Sequence, residues 1–466
     1  MKKIVILFLS FFCVCAISNA KCKILVHPEN RFLMYDDGRP FFWLGDTAWQ
    51  MFHRHTKESA KIYLQDRAYK GFNVIQGVCL AEHGGLSSPN AEGEWAFLDK
   101  DFTIPNDEYF SHIRYIVNLA DSLGLMVGLL PTWGDKFNLK WGPGPVIFDT
   151  EEKAEKYGEY IGKLFADKDN VIYILGGDRP ADGCENIIRA MAKGIAIGIC
   201  GREDYDCCLM TYHPWGGTSC TRWFTDEKWI DFYMQQNGHP YDVPLWERIS
   251  GDYHNIKPVR PVLDGESLYD EHAIDFDMEK NGVSTDYHTR RYFYHEFFSG
   301  ACGHTFGSTG VWQVWDPDKY KPAGNVFTGW QESLGRIASY QMGYGKELML
   351  SRPYFSRIPD QSILNEEYDH LERITATRDR DGKYAFIYTE RGKPIDVNLT
   401  TIGKGKKVRA WWFDPRSGRS INLGLFKKSE SVVFTPMTQG QGNDWVLVLD
   451  DPAMRYGPPG LGVVKK

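Results

Sequence analysis

The 466-residue chain has no Cys-x-x-Cys pair, no repeat at a fixed period, no low-complexity tract and no stripe of basic residues. Cys207 and Cys208 are adjacent, and neighbours on a strand face opposite ways, so the pair has no spacing for a shared metal. With a net charge of −7 and no basic face, a nucleic acid is not the expected partner. The first apolar run ends in Gly45-Asp46-Thr47-Ala48-Trp49, which is not the glycine-rich turn of a dinucleotide fold. Beyond the N-terminus no segment approaches the roughly 20 apolar residues of a membrane helix.

What is present at the N-terminus reads as an export leader over residues 1–20. Lys2 and Lys3 precede an apolar stretch from Ile4 to Ile17, and small residues end it at Ser18-Asn19-Ala20. Lys21, not a small residue, precedes Cys22, so a soluble product is expected rather than a lipid-anchored one. The expected location is the periplasm or cell surface of a Gram-negative bacterium. Eight cysteines remain after the leader, and an oxidising compartment permits disulfides without revealing their pairing.

From about residue 41 to 340, short apolar runs alternate with amphipathic stretches, the rhythm of βα units. Eight strands are predicted over 41–45, 72–79, 125–131, 171–176, 209–213, 231–235, 261–264 and 303–307. Helices fit between them: one capped by Thr56, running to Tyr69 and ended by Gly71, one from Asp107 to Leu123 stopped by Gly124, one over 150–166. Eight such units fit a (β/α)₈ barrel, here residues 21–354, with a hairpin turning at Asp37-Gly38 over the barrel's N-terminal face. Residues 355–466 instead show six short runs separated by turns such as Asp381-Gly382 and Ser417-Gly418. They predict a small antiparallel β-sandwich.

A (β/α)₈ barrel places its chemistry at the C-terminal ends of its strands. Two acids stand there: Asp178 after the run 171–176, and Glu266 after the run 261–264. Cleaving a glycosidic bond needs such a pair, one acid to protonate the leaving oxygen and one carboxylate to attack the anomeric carbon or activate water. Gly176 and Gly177 let substrate approach Asp178, and Arg179 is a candidate cation to keep Glu266 ionised. Around them the strand ends supply Asp46, Trp49, His83, Trp133, Asp135, Tyr212, His213, Gln235, Tyr269 and Trp312 as candidate substrate-binding residues, a set suited to sugar hydroxyls and CH faces. Each also has a plainer reading: Asp46 as a helix cap, the histidines as packing groups, Trp49 and Trp133 as core, Asp135 and Lys136 as a loop ion pair. No metal or other cofactor is expected.

Several segments resemble glycoside hydrolase family 140: Phe42-Trp43-Leu44-Gly45-Asp46-Thr47-Ala48-Trp49, Gly71-Phe72-Asn73-Val74-Ile75-Gln76, Gly176-Gly177-Asp178 and Asp264-Gly265-Glu266. Ala410-Trp411-Trp412-Phe413-Asp414-Pro415-Arg416-Ser417-Gly418 and Asp444-Trp445-Val446-Leu447-Val448-Leu449 are similar to its C-terminal domain, a β-sandwich once named for collagen binding. The resemblance implies removal of apiose from the pectic glycan rhamnogalacturonan II, with Asp178 as acid/base and Glu266 as nucleophile of a retaining mechanism. The wider clan has Asn-Glu where this chain has Gly177-Asp178, which sets it apart from cellulases. Other readings stay open here: the same fold acting on another plant or host glycan, a non-catalytic glycan-binding protein, or a metal hydrolase using His83, His213 and His239. The oligomeric state is left open.

Overall fold

The computed structural model describes residues 23–368 and 370–461; the expected leader over residues 1–20 and Cys22 lie outside the described residues. Eight parallel strands form the central sheet: β1 (Trp43–Thr47), β2 (Val74–Val78), β3 (Met126–Leu130), β4 (Val171–Gly176), β5 (Met210–His213), β6 (Tyr233–Gln236), β7 (Val262–Asp264) and β8 (Gly303–Phe306). Their order is β5-β4-β3-β2-β1-β8-β7-β6, with β8 pairing β1 in register Gly303 to Trp43, as a barrel requires. Every strand residue is buried, which explains why the runs read as continuously apolar rather than alternating. The seam between β5 and β6 is held by the Asp231 amide on the Met210 carbonyl at 2.9 Å, and by Thr211 Oγ1 on the Phe232 carbonyl at 2.6 Å.

Helices α1 (Lys57–Tyr69), α2 (Asp107–Ser122), α3 (Glu151–Phe165), α4 (Glu185–Cys200), α5 (Leu245–Asn255), α6 (Asp286–Phe298) and α7 (Ile337–Leu350) cover the sheet. Thr56 and Thr150 cap α1 and α3 by accepting the amides of Ser59 and Lys153, as their placement before a periodic run predicts. The unit after β5 departs from the expected pattern: it holds only a two-residue strand, Thr218–Ser219, and a 3₁₀ turn, Cys220–Arg222. Cys200 and Cys207 form a disulfide at the end of α4.

The helices flanking β4 meet through glycines. A Cβ on Gly162 would lie 2.3 Å from the Ile195 carbonyl oxygen, and one on Gly194 2.1 Å from that of Glu155. Only backbone fits between α3 and α4, and this fixes β4 and the acid beyond it. Gly194→Ala should therefore cost about 1–3 kcal/mol by forcing the helices apart, read as a lower melting temperature.

The first residues plug the barrel from below. Strands Ile24–Val26, Leu33–Tyr35 and Pro40–Phe41 form an antiparallel sheet. Its Ile24, Leu33 and Phe41 pack with Trp43, Val74, Ile172, Phe232 and Met234 of the barrel interior.

The C-terminal domain is a six-stranded antiparallel sheet backed by a two-stranded one, Ile395–Val397 with Val432–Phe434. Both faces of the large sheet are covered. Ile387, Trp412 and Leu447 face the domain's own core, while Phe386, Tyr388, Trp411, Phe413 and Val448 pack against Phe293, Phe297 and Met342 of the barrel helices. Ion pairs run between the two domains, Arg290 Nη2 to Asp444 Oδ1 at 2.8 Å and Arg291 Nε to Glu390 Oε2 at 3.0 Å, and His295 Nε2 lies 3.0 Å from the same Glu390 oxygen. All these side chains are buried. Removing one partner strands a buried charge, so Asp444→Ala should cost about 3–5 kcal/mol. Scanning calorimetry should show one joint transition moving down rather than a separate domain melting early.

Candidate active site

At the end of β4 the chain turns through Gly176, its last residue, and Gly177, both with positive φ, and a Cβ on Gly177 would meet the Trp133 ring at 2.8 Å. Asp178 follows at φ 51°, a conformation that Asp tolerates better than most residues. The turn presents its carboxyl to a cavity of about 760 Å³. Glu266 faces the same cavity two residues beyond β7. All eight strand-end loops contribute to the lining, through Trp49, Glu82, Trp133, Asp178, Gly216, Gln236, Glu266 and Trp312.

The two carboxyls have opposite surroundings. Asp178 Oδ1 accepts from Gln236 Nε2 at 3.1 Å, and Oδ2 from Arg179 Nη1 at 3.1 Å. Burial first, and the Glu266 charge second, outweigh these contacts and push its pKa up to about 6. Burial pushes Glu266 the same way, but His213 and His239 overcome it and hold its carboxyl well below the usual range. Their Nε2 atoms lie 3.2 Å from Oε2 and 3.4 Å from Oε1. Tyr269 donates to Oε1 at 2.6 Å, and Trp49 Nε1 donates to the Tyr269 hydroxyl at 2.7 Å. One acid is thus biased towards protonation and the other towards charge, the division that glycosidic cleavage uses.

Folding raises the Asp178 pKa, so the stability tied to its proton is fully present below about pH 4. It is lost as pH rises to about 6. Asp178→Asn should therefore stabilise the protein near pH 7.5, by on the order of 1–2 kcal/mol, and should lose that advantage at pH 4. A lower melting temperature for the variant at pH 7.5 would refute this.

Behind Glu266 is a fully buried network. Asp264 Oδ1 accepts the Glu266 amide at 3.1 Å, Asn237 Nδ2 bridges Asp264 Oδ2 and Glu296 Oε1 at 3.1 Å each, and His304 Nδ1 lies 2.8 Å from Glu296 Oε2. It fixes the backbone on which Glu266 stands.

Of the residues expected from sequence, Asp178, Glu266, Trp49, Trp133, Tyr269 and Trp312 line the cavity. The other seven lie outside the lining. Asp46 faces away from the barrel axis, where its Oδ2 accepts from Arg67 Nε and Tyr63 at 2.6 Å each. Tyr212 points outward and donates to the Arg179 carbonyl. Gln235 bonds Asp252 and the Arg248 carbonyl on α5, and Gln236, one residue on, takes the inward place because β6 runs further than predicted. Asp135 is a buried partner of Lys136 at 2.7 Å. His83 sits beside Glu82, 3.6 Å away. His213 is buried beneath the cavity floor, against Glu266. Arg179 serves Asp178 and Glu82, not Glu266 as expected; the nitrogen-bearing side chains beside Glu266 are His213 and His239.

Sequence reasoning passed over Trp141, His272, Phe276 and Arg248. Trp141 lies in the loop Lys140-Trp141-Gly142-Pro143-Gly144, and its Nε1 is 3.4 Å from Asp178 Oδ2. An aromatic residue amid glycines after a barrel strand was its only signal. Phe276, three-quarters exposed at φ 59°, stands at the cavity mouth against His239 and His272. Of the three histidines of the metal reading, His213 and His239 meet at Glu266 while His83 stands beside Glu82. Among the described residues no group of three His, Cys, Asp or Glu side chains is disposed to hold a metal ion, and no helix is long and apolar enough to cross a membrane.

A family model described as "Apiosidase-like, catalytic domain" matches residues 27–356. The chain belongs to the apiosidase-like family. A second model, "Putative collagen-binding domain of a collagenase", matches residues 358–450. Among solved structures, a glycoside hydrolase family 5 protein from Bacteroides vulgatus superposes with a TM-score of 0.83 at 29% identity, over 93% of this chain and 94% of that one. A structure titled simply a glycoside hydrolase gives 0.82 at 30%, over 93% and 98%. No curated protein matches. The apiosidase-like chain thus has the (β/α)₈ fold of glycoside hydrolases followed by an antiparallel β domain, and its fold and family support glycosidase chemistry.

Proposed function

We propose that the protein is an exported, retaining exo-glycosidase that removes apiose from rhamnogalacturonan II. The observation that carries this reading is the opposed protonation bias of Asp178 and Glu266 over one cavity. Asp178, protonated at rest, gives its proton to the leaving oxygen. The Glu266 carboxylate, oriented by Tyr269, His213 and His239, attacks the anomeric carbon to form a glycosyl ester. Asp178, now a base, then takes a proton from the water that hydrolyses this ester. Walls from all eight loops suit a terminal sugar rather than the middle of a long chain. The family assignment supports apiose, and the basic, apolar and small-residue pattern of residues 1–20 supports export.

The test is chromatographic identification of the monosaccharide released from rhamnogalacturonan II, with NMR observation of the anomer first formed. Free apiose of retained configuration is expected. Release of another sugar would refute the specificity, and an inverted product would refute the nucleophilic role. Because Asp178 must start protonated, turnover of a poor leaving group should fall as pH rises through about 6, its folded-state pKa. A fractionated culture should place the mature chain, beginning near Lys21, outside the cytoplasm.

A further inference from the structure

Arg248 is the one permanent cation among the described residues that line the cavity. The other ionisable groups there are Glu82, Asp178, Glu266, Asp275, His239, His272 and Tyr269. Glu82 is already paired with Arg179. Arg248 has no carboxylate within ion-pair reach among the described residues. Only its Nη1 is engaged, on the Asn237 side-chain and main-chain oxygens at 3.2 and 3.4 Å. Nη2 looks towards a turn without side chains: a Cβ placed on Gly217 would come 3.6 Å from it, and one on Gly216 would meet nothing within 4 Å. Arg248 also stands in the first turn of α5, where the helix dipole disfavours a cation. A half-buried guanidinium at an unfavourable helix position, with one edge free towards an open cavity, has the chemistry to take a carboxylate.

We infer that Arg248 determines specificity for an acidic glycan, binding the carboxylate of a uronic acid unit through its free Nη2 edge. Asp178 is biased towards its proton and Glu82 is paired with Arg179, so an anionic sugar entering the cavity is repelled by Glu266 and Asp275 and drawn towards Arg248. Its charge therefore fixes its orientation. This inference rests on the glycosidase reading for its biological setting but not for its test.

The test is binding of D-galacturonate and of D-galactose, measured by calorimetry on the full chain and on Arg248→Gln and Arg248→Lys. One charge-assisted contact predicts that Arg248→Gln weakens galacturonate binding about ten- to a hundredfold. Galactose, which lacks the carboxylate, should lose far less. Arg248→Lys should recover part of the galacturonate loss, and its recovery shows that the site remains folded. Salt should weaken the wild-type galacturonate complex more than that of Arg248→Gln. Equal losses for the two sugars, or no preference of the wild type for galacturonate over galactose, would overturn the assignment. Failure to release any sugar from rhamnogalacturonan II would refute the glycosidase reading while leaving this binding comparison intact.

Discussion

Glu266→Gln should lose on the order of 10⁴-fold or more in kcat on every substrate, because the attacking oxygen is gone. The amide keeps the side chain's size and can still accept from Tyr269, so substrate binding should change little and the loss should appear in kcat rather than KM. The buried carboxylate of Glu266 is stabilised by His213 and His239, so its removal also leaves two imidazoles facing a neutral group. The variant should therefore melt lower than the wild type at neutral pH, the opposite of Asp178→Asn. Two neighbouring acid-to-amide changes with opposite effects on stability would express the opposed electrostatics of the site directly. Turnover within tenfold of the wild type would refute the nucleophilic role.

Asp178→Ala should separate substrates by leaving group. On the natural glycan, where the departing alkoxide must be protonated, the loss should be about 10²–10⁴-fold, the usual contribution of a positioned general acid. On an aryl glycoside with an acidic phenol the first step needs no proton, so that step should be far less affected. The covalent intermediate should then accumulate because its hydrolysis lacks a base, and azide should relieve the block. The fall in activity above about pH 6 should vanish in this variant. Equal losses on both substrates would show that Asp178 positions the sugar instead of transferring a proton.

The barrel was legible because its determinants are local. The run 171–176 gave β4 without error, Thr56 marked a helix start to the residue, and the stretch 150–166 exceeded its helix by one residue at each end. The Asp178 and Glu266 positions followed from strand ends alone. The direction of a side chain at a strand end was less legible. Asp46 and Gln235 each sit where a catalytic loop begins, yet both point out to helices, because one residue of register exchanges inside for outside. The edge strand Arg419–Lys427 was also passed over: Ile421 and Leu425 face outward, so no buried face appears as a pattern. In the C-terminal sheet, adjacent Trp411 and Trp412 both proved buried, on opposite faces, since the barrel covers the side a lone sandwich would expose.

The sequence by itself determined the order of strands and helices, the two-part architecture and the placing of Asp178 and Glu266 at strand ends, since each is written in short-range periodicity, capping and spacing. Only the tertiary structure decided which acid is biased towards its proton, which side chains stand beside which carboxylate, and that Arg248 lines the cavity with no carboxylate in ion-pair reach among the described residues. These depend on burial and on charges brought together from distant segments, and electrostatic fields in a desolvated site follow distance in space, not separation along the chain.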